Sequence, residues 1–262
     1  MITIQKVIDT ILAEIPGSTT RDTVDTIKAG DPTQPVTGII TTFLASQAVL
    51  QKAVDIGANF VITHEPTFYN HLDQVDWLSD DPIYITKHKF IEDNNLVIWR
   101  FHDNLHTNRP DPTVAGITET LGWSEFTDPE NAAIFRMSPV TFNDLTQTVK
   151  SRLDIYTLRT IGNPEMTCRT VGILVGAWGG MNQMRLWRTA DLDVLIVGET
   201  PEWETVEYAR DAMIQGRNKG LIVTGHANSE EHGMRWLVKW LEQRFPDLNI
   251  QHVPVGDPFR FV

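Results

Sequence analysis

Three strand-length apolar runs, NFVIT at 59–63, LVIWRF at 96–101 and LIVT at 221–224, each lead into a histidine within two residues. Helix-period segments separate these runs, and that alternation predicts an α/β protein with a largely parallel sheet. Val7, Ile8, Ile11, Leu12 and Ile15 share one helix face. A strand over 38–43, a helix over 46–56, the strand at 59–63, a helix around 83–92 and the strand at 96–101 follow. The second half repeats this order, with strands at 171–175, 193–197 and 221–224 and helices near 203–215 and 229–245. In open parallel sheets ligands gather at the carboxyl ends of strands, where loops converge. The histidines sit at those ends.

Each strand end carries a cluster: ITHEP at 62–66, FHDNLH at 101–106 and GHANSE at 225–230. Four of the eight histidines, His64, His102, His106 and His226, fall in them, with acids Glu65, Asp103 and Glu230. His226 and Glu230 are four residues apart, as are His102 and His106, so a helical turn aligns each pair. His64 and Glu65 are adjacent, and neighbours in extended chain point apart, so each can serve a different ion. Imidazole and carboxylate without thiolate suit Zn, Fe, Mn, Co or Ni. The pattern predicts two divalent transition-metal ions per chain. The remaining histidines, His71, His88, His232 and His252, stand alone and are expected at the surface or rim.

Composition limits the alternatives. A net charge of −12 without a basic run repels a phosphate backbone, which argues against nucleic acid. The first fifteen residues are amphipathic and interrupted by Lys6, Asp9 and Glu14, and no uncharged apolar run reaches about 18 residues. Neither a signal peptide nor a membrane span is expected. The single cysteine, Cys168, suits a reducing compartment, so the cytoplasm is the expected location. Arg100 lies within an apolar strand and needs a buried partner or a lined cavity. GAWGG at 176–180 can aim backbone N–H groups at an anion or can be a plain turn. Glu199 is a candidate acid or base near the metals, or a helix cap. The eight tryptophans read as core and interface residues.

A weak internal echo relates AVDIGANFVITHEP at 53–66 to AMIQGRNKGLIVTGHANSE at 212–230. Both contain a helix end, a glycine turn, a strand and then histidine. The echo hints at two similar α/β lobes facing each other, with the metals in the central cleft.

The ordered clusters resemble the dinuclear metal-centre family of GTP cyclohydrolase 1 type 2 homologues, also called NGG-one-interacting-factor-three-like proteins. DTVDTIKAGDP at 22–32 resembles the family's amino-terminal strand and turn, and GAWGG its glycine-rich turn. VGET at 197–200 resembles the acid-bearing strand end, GHANSE the last metal motif and VPVGDPF at 253–259 the closing strand. The resemblance implies a first lobe over 1–130 with 225–262 contributing, a second over 131–224, and no inserted extra domain. It implies metal ligation by His64, Glu65, His106, His226 and a bridging Glu230, with His102 as an extra or orienting group. The family has a second histidine where this chain has Glu65, and an aspartate where it has His106, so two donors are exchanged. Two such cations can activate water and polarise a substrate oxygen, which is hydrolase chemistry on a small-molecule substrate, with Glu230, Glu199 and Asp103 as catalytic candidates. The resemblance also implies a toroidal homohexamer. No P-loop or guanine-reading motif is present, so the purine substrate is not carried over. A metal-delivery module and a protein-binding scaffold without turnover are the other readings.

Overall fold

A computed structural model describes residues 1–260 and 262. The chain divides into two compact units, Met1–Pro112 with Met234–Val262, and Thr113–Gly233.

In the first unit, α1 (Ile4–Glu14) starts at Thr3, whose hydroxyl accepts from the Lys6 N–H, and buries Ile4, Val7, Ile8 and Ile11 along one stripe. The chain continues through β1 (Ile27–Ala29), β2 (Ile39–Thr42), α2 (Gln47–Asp55), β3 (Phe60–Thr63), α3 (Pro82–Asp93), β4 (Val97–Arg100) and the short α4 (Asp103–Thr107). Ser46 caps α2, and Asp81 caps α3 with Pro82 at its first position.

The second unit begins within α5 (Pro112–Leu121) and contains β5 (Thr127–Asp128), β6 (Asn131–Thr141), α6 (Phe142–Arg152), β7 (Arg159–Ile161) and β8 (Thr167–Leu174). It goes on through α7 (Gly180–Thr189), β9 (Val194–Val197), a π-helical turn at Glu202–Val206, α8 (Glu207–Ile214) and β10 (Gly220–Val223). Helix α9 (His226–Glu242) starts in the second unit and ends in the first, where β11 (Ile250–His252) completes the sheet.

The first sheet has the order β1-β4-β3-β2-β11, with parallel pairing except at the β1 edge. All four residues of β2, β3 and β4 are buried, as expected for parallel strands covered on both faces. Ile39, Phe60, Ile62, Val97 and Trp99 pack with α1 and α9, while Ile40, Val61 and Ile98 pack with residues of α2 and α3.

The second sheet, β5-β6-β8-β9-β10-β7, is mixed rather than largely parallel. Only β8, β9 and β10 run parallel, and β5, β6 and β7 pair antiparallel. The long β6 escapes a periodicity reading because its register shifts between Arg136 and Val140, around Pro139, which has no N–H to donate. The 253–259 segment is not a strand; the ladder ends at His252, and Pro254 and Pro258 cannot donate to one. The echoed segments share local geometry, since α2 and α8 end before Gly57 and Gly216, both at positive φ, followed by the buried strands β3 and β10.

No described helix is long and apolar enough to cross a membrane. Burial pushes the Cys168 thiol up to about 12, with Asp193 adding to the shift, so it is an inert core group. Lys87 is a charged core residue, 4% exposed, with its ammonium 2.6 Å from the Thr67 carbonyl. Burial lowers its pKa to about 8, against an upward pull from Asp73. Between about pH 8 and 10.5 the unfolded chain therefore holds more of this proton, and stability rises with pH across that window. The rise is worth roughly 3 kcal/mol. Urea melts at pH 7.5, 9 and 10.5 should show it in the wild type and not in Lys87→Met; parallel pH profiles would refute it.

Candidate metal centre

The first unit gathers three histidines. His64 follows β3 directly and is fully buried, with Nδ1 3.2 Å from the Phe101 carbonyl. A carbonyl can only accept, so Nδ1 carries the proton and Nε2 is left as the donor atom for a metal. His102 and His106 bracket one turn of α4, their ring centroids 4.9 Å apart and 4.6 Å and 5.0 Å from that of His64. One ligand nitrogen from each of the three lies within 4.8 Å of the others.

The same logic orients the other rings. His102 Nδ1 lies 2.9 Å from Asp103 Oδ1, and His106 Nδ1 lies 2.9 Å from Asp111 Oδ2. Burial raises the Asp103 pKa, but bonds from His102, Thr23 and Val24 outweigh that and bring it to about 2, so it is an ionised acceptor. His102 is pushed down to about 4 by burial and by the neighbouring His64, against an upward pull from Asp103, so near neutral pH it is the uncharged imidazole a metal requires. Asp103, expected as a catalytic acid, is placed where it orients His102.

Helix α4 is too short to hold itself, and Asp25 supplies its start. The Asp25 carboxylate accepts from the backbone N–H groups of His102 (2.7 Å), Asp103 (2.9 Å) and Asn104 (2.8 Å), and from Asn104 Nδ2 (2.8 Å). Asn104 in turn bonds the N–H and the carbonyl of Thr19. Glu65 sends Oε1 to within 3.6 Å of His102 Nε2 and Oε2 to within 3.2 Å of the Arg100 guanidinium. Arg100 thus finds the buried partner its place in a strand demands.

The second unit holds the other acids. His226 opens α9, with Nδ1 3.0 Å from Glu199 Oε1 and Nε2 3.0 Å from Glu230 Oε2 one turn along. Glu199 therefore orients His226. The Glu230 side chain is 4% exposed and needs Gly176: a Cβ there would stand 2.2 Å from Glu230 Oε1, on a backbone with φ of +68°. Gly176 also donates its N–H to Ser229 Oγ at 2.9 Å. The GAWGG turn thus makes room for a carboxylate of the chain itself. At its far end Glu204 packs against Gly180, where α7 begins, and supplies the negative charge that a helix amino terminus favours.

Four contributors escaped the sequence reading. Asp111, Asp25 and Asp73 carry no periodic signal, although Asp111 follows His106 by five residues in HTNRPD. His71, expected to stand alone, lies edge-on to His102 with ring centroids 5.9 Å apart.

Comparison with known proteins decides the relationship. The family model described as Duf34/NIF3 (NGG1p interacting factor 3) matches residues 4–257. The chain belongs to the Duf34/NIF3 family. Among curated proteins it is similar to the GTP cyclohydrolase 1 type 2 homolog of Pasteurella multocida, 26% identical over 84% of this chain and 85% of that protein. The homolog of the same name from Escherichia coli K12 is 27% identical over 86% and 87% of the two chains. Among solved structures, a Staphylococcus aureus hypothetical protein superposes with a TM-score of 0.77 at 18% identity, over 99% of each chain. A Bacillus cereus protein related to NIF3 gives 0.77 at 16% identity, over 100% of this chain and 99% of the other. These likenesses establish the fold.

The Nδ1 acceptors give a direct test of the metal-site arrangement. Replacing Asp111 with Asn should lower zinc affinity roughly 10- to 100-fold by loosening the His106 ring while leaving the ligand in place. Calorimetric zinc titration of the apo-protein measures this, and unchanged affinity would assign Asp111 to structure alone.

Proposed function

We propose that this Duf34/NIF3 protein is a dinuclear metal protein acting as a metal-dependent hydrolase on a small phosphate-bearing or heterocyclic substrate. One observation carries the reading: His64, His102, His106 and His226 each have Nδ1 within 3.2 Å of an oxygen acceptor, three of these being carboxylates. Such pairing fixes the tautomer that coordinates through Nε2 and strengthens it as a donor. The set of imidazoles and carboxylates fits a divalent transition metal and does not fit an all-oxygen calcium cage.

On the family resemblance, one ion would take His64, His226 and Glu230, and the other Glu65, His106 and a shared Glu230, with His102 beside it. Bound there, two divalent cations would supply the Lewis acidity that activates water and polarises a substrate oxygen. The chain's own contribution is orientation: Asp103, Asp111 and Glu199 hold imidazoles, and Gly176 leaves space for Glu230. The curated relatives' name includes GTP cyclohydrolase, but purine-ring opening is no part of this proposal. Self-association as a homohexamer is part of it, on the resemblance alone, and sedimentation velocity would test it.

The deciding experiment is elemental analysis of protein purified without chelator, followed by a hydrolysis screen of phosphoesters, nucleotides and cyclic amides. Close to two metal equivalents, and turnover lost in Glu230→Gln, support the hydrolase. Metal without turnover favours a delivery module. No metal and no uptake, with partner binding intact in Glu230→Gln, favours a scaffold.

A further inference from the structure

A fully buried arginine lies behind the first unit's histidines, and each nitrogen of its guanidinium has a partner. Arg100 Nε donates to the His64 carbonyl at 3.0 Å, and one terminal nitrogen donates to the His71 carbonyl. The other terminal nitrogen is 3.2 Å from Glu65 Oε2. On the first terminal nitrogen's side, Asp73 Oδ2 stands 3.9 Å away and is itself 3.3 Å from Lys28 Nζ. Lys28, Asp73, Arg100 and Glu65 therefore form a line of alternating charge, with side chains 7%, 4%, 0% and 14% exposed. Alternation makes the line tolerable, because an isolated buried charge would cost several kcal/mol or more.

The two oxygens of Glu65 have different surroundings. Oε2 faces Arg100, while Oε1 faces His102 Nε2 at 3.6 Å. The guanidinium cannot follow Oε2 elsewhere, because two backbone carbonyls hold its Nε and its other terminal nitrogen. A carboxylate bound this way has one oxygen to offer a metal.

We propose that Arg100 limits Glu65 to a single coordinating oxygen and thereby sets which metal the cluster prefers. The proposal rests on the metal-centre reading. With one oxygen from Glu65 beside imidazole donors, the ion it serves keeps a low coordination number, the arrangement that suits Zn and Co. Release of the second oxygen makes a more oxygen-rich site, which favours Mn. Arg100 acts through Glu65, so it is a positioning residue, and Lys28 supports it by drawing the Asp73 carboxylate away from the guanidinium.

The test uses the Co(II)-loaded full chain, read by its visible absorption, together with Zn-against-Mn competition measured by elemental analysis. Wild type should show the intense bands of low-coordinate Co(II). In Arg100→Met the bands should weaken, and Mn should gain on Zn by about 10-fold, the lower end of what metal-site support residues control. Lys28→Met, at the far end of the line on the β1 edge strand, should move both readouts the same way by less, and it carries the test if Arg100→Met does not fold. Adding Glu65→Gln to Arg100→Met should abolish the change in the bands, because an amide has one oxygen to offer. Wild-type bands and metal ratio in both single variants overturn the proposal. A wild type that takes up no Co(II) overturns the metal-centre reading itself and this proposal with it.

Discussion

His106→Ala should lower zinc affinity by at least about 100-fold, beyond the range seen when only an orienting neighbour is removed. The substitution deletes one of three convergent nitrogens, together with the ring nitrogen that meets Asp111 Oδ2. Its structural cost should be small, since the His106 side chain is 30% exposed and belongs to a five-residue helix. The effect on metal is thus separable from the effect on folding. His88→Ala is the matched control, because that imidazole sits on α3 beside the exposed Glu92. Calorimetric titration with zinc, beside thermal melts of the apo-proteins, should show affinity lost in the first variant only. Equal affinity in the two would remove His106 from the ligand set and undo the exchange of donors between Glu65 and His106.

What the sequence made legible follows from where the signals lie. Strands β3, β4 and β10 are short continuous apolar runs, and a parallel sheet writes that pattern clearly because both faces are covered. The histidines at their ends were legible for the same reason, since each breaks an apolar run. β6 was illegible: half-exposed, shifted in register and interrupted by Pro139, it lacks both alternation and continuity. The sequence places the start of α9 near residue 229, but the helix begins at His226, and Ser229 Oγ receives the Gly176 N–H and donates to the His226 carbonyl. The acceptors behind the ligands were hidden for a different reason. Asp25, Asp73 and Asp111 act through tertiary contacts, and a lone aspartate in a polar loop looks the same whether it caps a turn, balances a buried arginine or faces water. Arg100 was legible as an anomaly, and its partners were not, because the partner loop at 66–74 has no period.

Asp25→Ala should destabilise the protein by about 3–5 kcal/mol, a large loss for a residue that lies outside every helix and strand. The residue is 7% exposed, and its carboxylate collects three consecutive backbone N–H groups and a side-chain amide. Alanine leaves those four donors without their acceptor, and each buried unsatisfied donor costs about 1–3 kcal/mol, less where water can reach it. Asp25→Asn should fall between, because its one carbonyl oxygen can serve part of the set while its amide N–H groups oppose the rest. Urea denaturation measures the loss, and a change below about 1 kcal/mol would show that α4 does not depend on Asp25. Because the same bonds fix the backbone of His102 and the turn leading to His106, zinc affinity should fall as well under conditions where the variant is folded. Trp187→Ala separates the two effects. That indole fills the second unit's core, and its removal should cost a similar 3–5 kcal/mol. Its cluster of apolar residues contains none of the histidines or the carboxylates that hold them, so the variant's zinc affinity should stay near that of the wild type. If both variants lose zinc in proportion to stability, Asp25 is a fold residue only; if Asp25→Ala loses far more, the chain spends a buried carboxylate on holding two metal ligands in register.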